Sequence, residues 1–342
     1  MKCSRAIAQR KYLIASTPPN EGLSYAAAGN KRRDCPVRDL SSHQGEVAAV
    51  ATQAFSYDEA FSRNLGWVTA GEQQRLRQSR VCIAGLGGVG GVYLLTLARL
   101  GIGAFSIADF DTYALANFNR QVGATVSSLG RPKIDVMLAM ARDINPELDV
   151  RVFKDGLDAA NIAPFLADGD VYLDGLDFFA LDIRRDVFAQ CGAKGMPATT
   201  VAPLGMGAAL LNFVPGGMSF EEYFRLDGHS AHEQALRFLV GLSPAMLQMA
   251  YLVDPSRVDL AARRGPSTVI GAQLCSGIAA AQVLKLLLRR GRVVAAPSGL
   301  HFDAFRNRLK RTWRPGGNRN PLQRALLALA ARRLRPALPS VV

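Results

Sequence analysis

The chain of 342 residues is 49% hydrophobic and 20% charged, an ordinary globular composition that can bury a full α/β core. Its longest apolar runs, such as GIAAAQVLKLLL with Lys285 inside it, fall short of the roughly 18 uncharged residues a bilayer span needs, so a soluble chain with no membrane partner is expected. The net charge of +13, from 41 Lys and Arg against 28 Asp and Glu, would attract phosphates, nucleic acid or an acidic partner.

Much of that excess sits at the two ends, in Lys31–Arg33 and across 306–335. Such runs are ordinarily solvated tails, which makes RNA an unfavoured partner. Cys3, Cys35, Cys82, Cys191 and Cys275 are scattered singly, with no C-x-x-C pair to supply half of a zinc site. A reducing cytoplasm and no structural zinc are the expectation.

Residues 1–50 mix Gly, Pro, Ser and charge without a sustained period and read as a disordered leader. Their apolar stretches are too brief for a secretory signal. From Tyr57, DEAFSRNLG and WVTAGEQQRLRQS predict two short helices before the first strand. RVCIAGLGGVGGVYLLTLARLG reads as a buried strand over Val81–Ala84, a glycine turn, and a helix that turns Leu94, Leu95, Leu97, Ala98 and Leu100 toward a sheet. AFSIADFD then supplies a second strand ending in Asp109 and Asp111, which completes a βαβ unit.

After a polar, irregular stretch, IDVMLAMARDIN predicts a helix that stops at Asn145-Pro146. ELDVRVFKDGL resembles a third strand, and DVYLDGLD a fourth with Asp174 at its carboxyl end, where open parallel sheets bind ligands. PATTVAPLGMGAALLNFVP reads as further strand, 219–265 as helix-rich, Ala272–Leu288 as a late helix and Ser298–Phe302 as a last strand. The segment 306–342 reads as a basic tail with room for an amphipathic helix.

Gly85, Gly87, Gly88 and Gly90 satisfy G-x-G-x-x-G between a strand and a helix, where glycines let backbone approach a phosphate at the helix N-terminus. Asp109, 19 residues after Gly90, would serve a ribose hydroxyl of NAD, FAD or ATP alike. DFDTYALANFNRQ, GRPK and LDGLD separate these nucleotides, because they add Arg120, Lys133 and carboxylates around the same strand ends. A nicotinamide site has no need of two cations aimed at a triphosphate.

With these motifs, residues 60–195 resemble the ThiF/MoeB/HesA family, whose superfamily includes the activating enzymes of ubiquitin and its relatives. The resemblance implies a Rossmann-like, mostly parallel α/β sheet with helices on both faces, an adenylation domain over 51–305 with its nucleotide-binding core at 80–200, and a helix-rich C-terminal extension. It implies that the glycine loop cradles ATP, that Asp109 holds the ribose, that Asn117, Arg120 and Lys133 surround the phosphates with Gln121 beside them, and that Asp174 binds the nucleotide's Mg2+. Asp111 and Asp177 would contact the nucleotide or support those that do. Arg63 in SRNLG resembles the arginine that reaches into the partner subunit's site of a homodimer, and it would otherwise make a surface ion pair.

The expected reaction is Mg·ATP-dependent adenylation of a carboxylate on a ubiquitin-like carrier, a peptide or a small molecule. Attack on the α-phosphate spreads negative charge that cations must meet. Taken singly, each residue also has a plain structural role: Arg120 would pair with Asp109 or Asp111, Lys133 would open a helix, and Asp174 would cap a strand end.

Many relatives hold zinc on two C-x-x-C pairs and use a later cysteine for acyl transfer. This chain lacks the pairs, and the sequence after Asp177 departs from the familiar sulfur-carrier activators. Cys191 and Cys275 lie in helices and read as core before nucleophile, while Cys82 sits inside the first strand. His229 and His232 share a helical spacing but have no evident third ligand.

Three rivals remain. The segment Asn117–Gln121 also resembles dehydratases that cyclise threonylcarbamoyladenosine in tRNA. The glycine turn and Asp109 alone permit a nicotinamide-dependent oxidoreductase. A catalytically idle nucleotide-binding scaffold is the third.

Overall fold

The computed structural model describes residues 54–260 and 262–334. The leader expected over 1–50, with Cys3 and Cys35, lies outside the described residues. The two short helices expected before the first strand are α1 (Tyr57–Ala60) and α2 (Ala70–Gln78). Thr69 opens α2 with a capping box: its hydroxyl accepts the Glu72 amide at 3.1 Å, and the Glu72 carboxylate accepts the Thr69 amide at 2.8 Å.

In chain order there follow β1 (Arg80–Ala84), α3 (Gly90–Arg99), β2 (Ala104–Ala108), α4 (Lys133–Ile144), β3 (Asp149–Phe153), α5 (Ile162–Phe165), β4 (Val171–Asp174) and α6 (Leu181–Ala193). The second half comprises β5 (Ala198–Leu204), β6 (Gly207–Phe213), α7 (Phe220–Phe224), α8 (Ala231–Leu242), α9 (Val269–Leu288), β7 (Ser298–Asp303), β8 (Arg308–Trp313) and α10 (Pro321–Arg333). The strands form one sheet in the order β3-β2-β1-β4-β5-β6-β7-β8. Pairings from β3 through β5 are parallel, and those from β5 to β8 are antiparallel. This is a Rossmann-like, mostly parallel sheet.

Strand periodicity divides the core between the two faces of the sheet. Val81, Ile83, Phe105, Ile107, Val171 and Leu173 pack with α3, α4 and α9 on one face. Cys82, Ala84, Ala108 and Tyr172 pack with α5, α6, α7 and α8 on the other. The stretch 213–224 contributes Phe213, Phe220, Tyr223 and Phe224 to this second core.

Two segments differ from expectation. The late helix starts at Val269 rather than Ala272, because Thr268 caps it by accepting the Gly271 amide at 3.2 Å. At 20 residues α9 is long and apolar enough to cross a bilayer, yet it packs on β5, β6 and α3 and buries Ala272, Cys275, Ala279, Val283 and Leu287. Within the basic stretch 306–342, β8 pairs with β7 in the register Ser298↔Trp313, and α10 joins Leu236 and Val240 of α8 in a small third core through Ala330. The sheet and core thus continue past residue 305. Strand β8 escapes sequence reading because nearly all its side chains are exposed, which leaves no apolar alternation to detect.

Strand β7 carries His301, 1% exposed, with Nδ1 at 3.1 Å from the Ser243 hydroxyl. Burial lowers its pKa to about 4 from 6.5, against the upward pull of Asp303. Between those values the unfolded chain binds the extra proton and the folded chain does not, so stability falls as pH drops from 6.5 toward 4. The expected loss is roughly 3 kcal/mol at the acid end of that window. Melting temperatures measured across it should show a shallower decline for His301→Gln than for the wild type; parallel slopes would remove His301 as the cause.

Candidate active site

Strands β1 and β4 are neighbours from which the chain winds outward in opposite directions, the switch point at which open α/β sheets bind ligands. Register places Ala84 of β1 beside both Ala108 of β2 and Asp174 of β4. The residues that follow these three strand ends therefore meet above the glycine loop.

The loop is a close-packed backbone junction. Gly85 has φ +82°, and a Cβ there would lie 2.3 Å from the Gly175 carbonyl oxygen. A Cβ on Gly90 would lie 1.7 Å from the Gly85 oxygen, and one on Gly175 would lie 2.4 Å from that same oxygen. Side chains are excluded by contact with backbone, which cannot yield as a flexible side chain would. Gly87 and Gly88 are different: they lie under the segment Asn117–Gln121. A Cβ on Gly88 would rest 3.7 Å from Arg120 Cγ, and one on Gly87 3.6 Å from Gln121 Nε2.

Asp109 fixes the loop from the next strand. Its Oδ2 accepts the Leu86 amide at 2.6 Å and its Oδ1 accepts the Asp111 amide at 2.8 Å. Burial pushes its pKa up, opposed by those two backbone hydrogen bonds and by the charge of Lys133. Lys133, 5% exposed at the start of α4, places Nζ 2.9 Å from Asp111 Oδ2, while its amide donates to the Asp111 carbonyl at 2.9 Å. The cation is held at the rim by an exposed carboxylate.

Arg120 lies above the loop with Nη1 donating to the Ala116 carbonyl at 2.9 Å and to Asn119 Oδ1 at 3.0 Å. It makes no ion pair with Asp109 or Asp111. Asn117 turns its Oδ1 back onto the Ala114 amide at 2.9 Å, so its side chain shapes the turn. Gln121 is 7% exposed, and its Oε1 is buried without a hydrogen-bond partner, as is the Tyr113 hydroxyl. An orphaned oxygen on the side chain that covers Gly87 is one that a polar ligand would complete.

The carboxylates of the LDGLD segment have separate environments. Asp174 is 4% exposed, and its Oδ2 accepts from Arg184 Nε at 2.8 Å in an ion pair with both side chains 2% exposed. Arg184 also donates to the carbonyls of Leu176 at 2.8 Å and Asp177 at 3.0 Å, and its guanidinium lies 4.7 Å from the centre of the Phe238 ring. It orders the turn after β4. Asp177 is exposed on that turn, with Oδ1 accepting the Phe179 amide at 3.0 Å. Of the two carboxylates on this segment Asp177 is the exposed one, whereas Asp174, expected to bind magnesium, is buried in its ion pair with Arg184.

Arg63 lies in a 3-10 turn, Ser62–Asn64, and is exposed with no ion pair among the described residues. Cys82, Cys191 and Cys275 are buried. Desolvation pushes all three thiols up, Cys82 to about 12, which keeps them protonated at neutral pH. His229 pairs with Glu233 at 3.1 Å, and no group of metal-ligating residues occurs among the described residues. Sequence reasoning missed Arg184 and Gly175. Gly175 had a signal in its place between two strand-end acids; Arg184 had only the oddity of a charge on the inner face of α6.

A glycine turn at the switch point, covered by an arginine and flanked by a buried lysine, is an arrangement of the Rossmann-like, nucleotide-binding class of fold. The chain belongs to the ThiF family, whose profile matches residues 61–325. The sulfur carrier protein ThiS adenylyltransferase of Escherichia coli is 34% identical over 143 residues, covering 42% of this chain and 56% of the relative. The tRNA threonylcarbamoyladenosine dehydratase of Haemophilus influenzae is 30% identical over 151 residues, covering 44% and 57%. The chain thus spans a little over half the length of these curated relatives. In fold it is similar to PaaA (TM-score 0.57, 19% identity, covering 79% of this chain and 77% of that one). Escherichia coli MccB with ATP is also similar, at TM-score 0.56 and 18% identity, covering 77% and 72%.

Proposed function

We propose that this chain is an Mg·ATP-dependent adenylyltransferase that activates a carboxylate. The observation that carries the reading is the placement of Arg120 and Gln121 directly over Gly88 and Gly87, with Lys133 buried at the adjoining strand end. Family membership and the ThiS adenylyltransferase relative support it.

In this reading the glycine loop and the N-terminus of α3 receive the phosphates through backbone amides. The substrate carboxylate oxygen attacks the α-phosphorus, the bond to the bridging oxygen breaks, and that electron pair leaves with pyrophosphate. Arg120 meets the charge that develops on the phosphate oxygens, and Lys133 exchanges Asp111 for phosphate. Asp109 holds the loop through Leu86 and retains acceptor capacity for a ribose hydroxyl. Asp177 is the carboxylate suited to a magnesium ion, which when bound would neutralise phosphate charge.

The substrate is a carboxylate of a carrier protein, a peptide or a small molecule. With the three described cysteines buried as thiols, the acyl adenylate passes directly to its acceptor. Arg63, exposed and with no ion pair among the described residues, would complete the site of a second copy in a homodimer.

The test follows α-labelled ATP with magnesium and cell extract as a crude carboxylate source. AMP and pyrophosphate are the expected products. NADH binding without ATP binding would replace this reading with a nicotinamide enzyme, and tight ATP binding without turnover would favour an idle scaffold. The dehydratase alternative draws on the tRNA dehydratase relatives and on the exposed Arg308, Lys310 and Arg311 of β8. It requires steeply salt-dependent tRNA binding that is lost when the exposed Arg308, Lys310 and Arg311 are replaced by glutamine in the full chain.

A further inference from the structure

Away from the glycine loop, the end of α7, α8, the turn Gly317–Arg319 and α10 line an open pocket of about 520 Å³. Arg225, Arg237, Asn318, Arg319, Arg324 and Leu327 line it. The volume is within the usual range of small-molecule sites and far exceeds one phosphate group.

Its charge is not balanced from within. Arg237 alone is paired, with Glu233 at 2.8 Å. Arg225, Arg319 and Arg324 make no ion pair among the described residues. Glu222 feels the charge of Arg225, but its own carboxylate is engaged by the Ser219 amide at 2.7 Å. Guanidinium groups gathered round a concave wall repel one another until an oxyanion arrives, and their planar forks match phosphate oxygens two at a time.

Two buried polar atoms in the wall lack a partner. Arg225 sits at the left-handed C-cap of α7 with φ 54°, a place where glycine is the unstrained choice, and its Nε is buried without an acceptor. Asn318 is 2% exposed. Its Nδ2 donates to the carbonyls of Phe224 at 2.6 Å and Arg237 at 3.1 Å, which fixes the amide and leaves Oδ1 buried with no donor. Unmade hydrogen bonds in a protein interior are costly, so a site that keeps one donor and one acceptor open is suited to a ligand offering both. A phosphate ester that carries a hydroxyl does so; sulfate, which has no proton to donate, meets only the guanidiniums.

We propose that this pocket is a second binding site, for a small phosphate ester of about sugar-phosphate size, with its phosphate on Arg225, Arg319 and Arg324 and a hydroxyl donating to Asn318.

The test is calorimetric titration of the full chain with ribose 5-phosphate, inorganic phosphate and sulfate at constant ionic strength. Wild type, Arg319→Glu/Arg324→Glu and Arg120→Ala are compared. The two reversed arginines are exposed, so the double variant should keep its melting temperature while binding ribose 5-phosphate at least about tenfold more weakly. Arg120→Ala should bind it as the wild type does, and sulfate should bind more weakly than the ester. Equal affinity in the double variant, loss of binding in Arg120→Ala, or no heat at about 10 mM of any probe would overturn the proposal. So would a single-stranded RNA held through these arginines that ribose 5-phosphate fails to displace, since the cluster would then be a nucleic-acid surface.

Discussion

Replacing Arg120 by alanine should lower AMP formation from ATP about a hundredfold, because the transition state loses one preorganised donor worth on the order of 3 kcal/mol. The side chain is already held above Gly88 by Ala116 and Asn119, and Asn119 is tied by its Nδ2 to the Ser267 carbonyl at 3.0 Å. Little reorganisation is needed when charge develops beneath it. Lysine should recover only part of the rate, since an ammonium cannot span two phosphate oxygens as the planar fork does.

The same assay tests the proposed contribution of Arg63 from a second copy. Arg63→Ala alone should be impaired without loss of stability, because its side chain is exposed and makes no ion pair among the described residues. An equimolar mixture with Arg120→Ala should regain about a quarter of wild-type activity, since random pairing puts one intact site in half of the dimers. No recovery would confine Arg63 to its own subunit, and unchanged turnover in Arg120→Ala would remove that arginine from the chemistry.

Asp174→Ala should cost about 3–5 kcal/mol of folding stability, read as a fall in melting temperature of roughly 10 °C. The loss arises from the partner left behind. Arg184 is buried, and removing Asp174 strands its charge beside Phe238. Replacing both residues with apolar side chains of similar volume should restore most of the stability, whereas breaking the pair from one side should not.

Asp177→Asn, on the exposed turn, should leave the melting temperature unchanged and lower magnesium-dependent turnover, with partial rescue at higher magnesium. A stable Asp174→Ala, or an Asp177→Asn as active as wild type, would reverse the assignment of the two carboxylates.

These two predictions mark where the sequence was legible. The positions of the glycine turn and Asp109 were legible because they belong to a local strand–turn–helix pattern, and Arg120 and Lys133 because their segments follow the same strand ends, where the structure brings all of them together. The fate of Asp174 could not. Whether a strand-end carboxylate faces a ligand or a buried arginine depends on Arg184, ten residues away on α6, and its inward direction follows from how that helix packs. Tertiary pairing of charges leaves no mark in periodicity. The last strand was hidden for a different reason: β8 is stabilised by its ladder with β7, and its exposed side chains look like those of a tail.

Among the described residues that strand ends the sheet with one side unpaired, the kind of edge that recruits further strands and leads to aggregation. Arg308, Lys310 and Arg311 sit along it, so docking a second copy edge to edge would align two rows of positive charge. The basic run thereby acts as a guard on an exposed ladder. Edge-to-edge pairing of two copies is disfavoured at this margin.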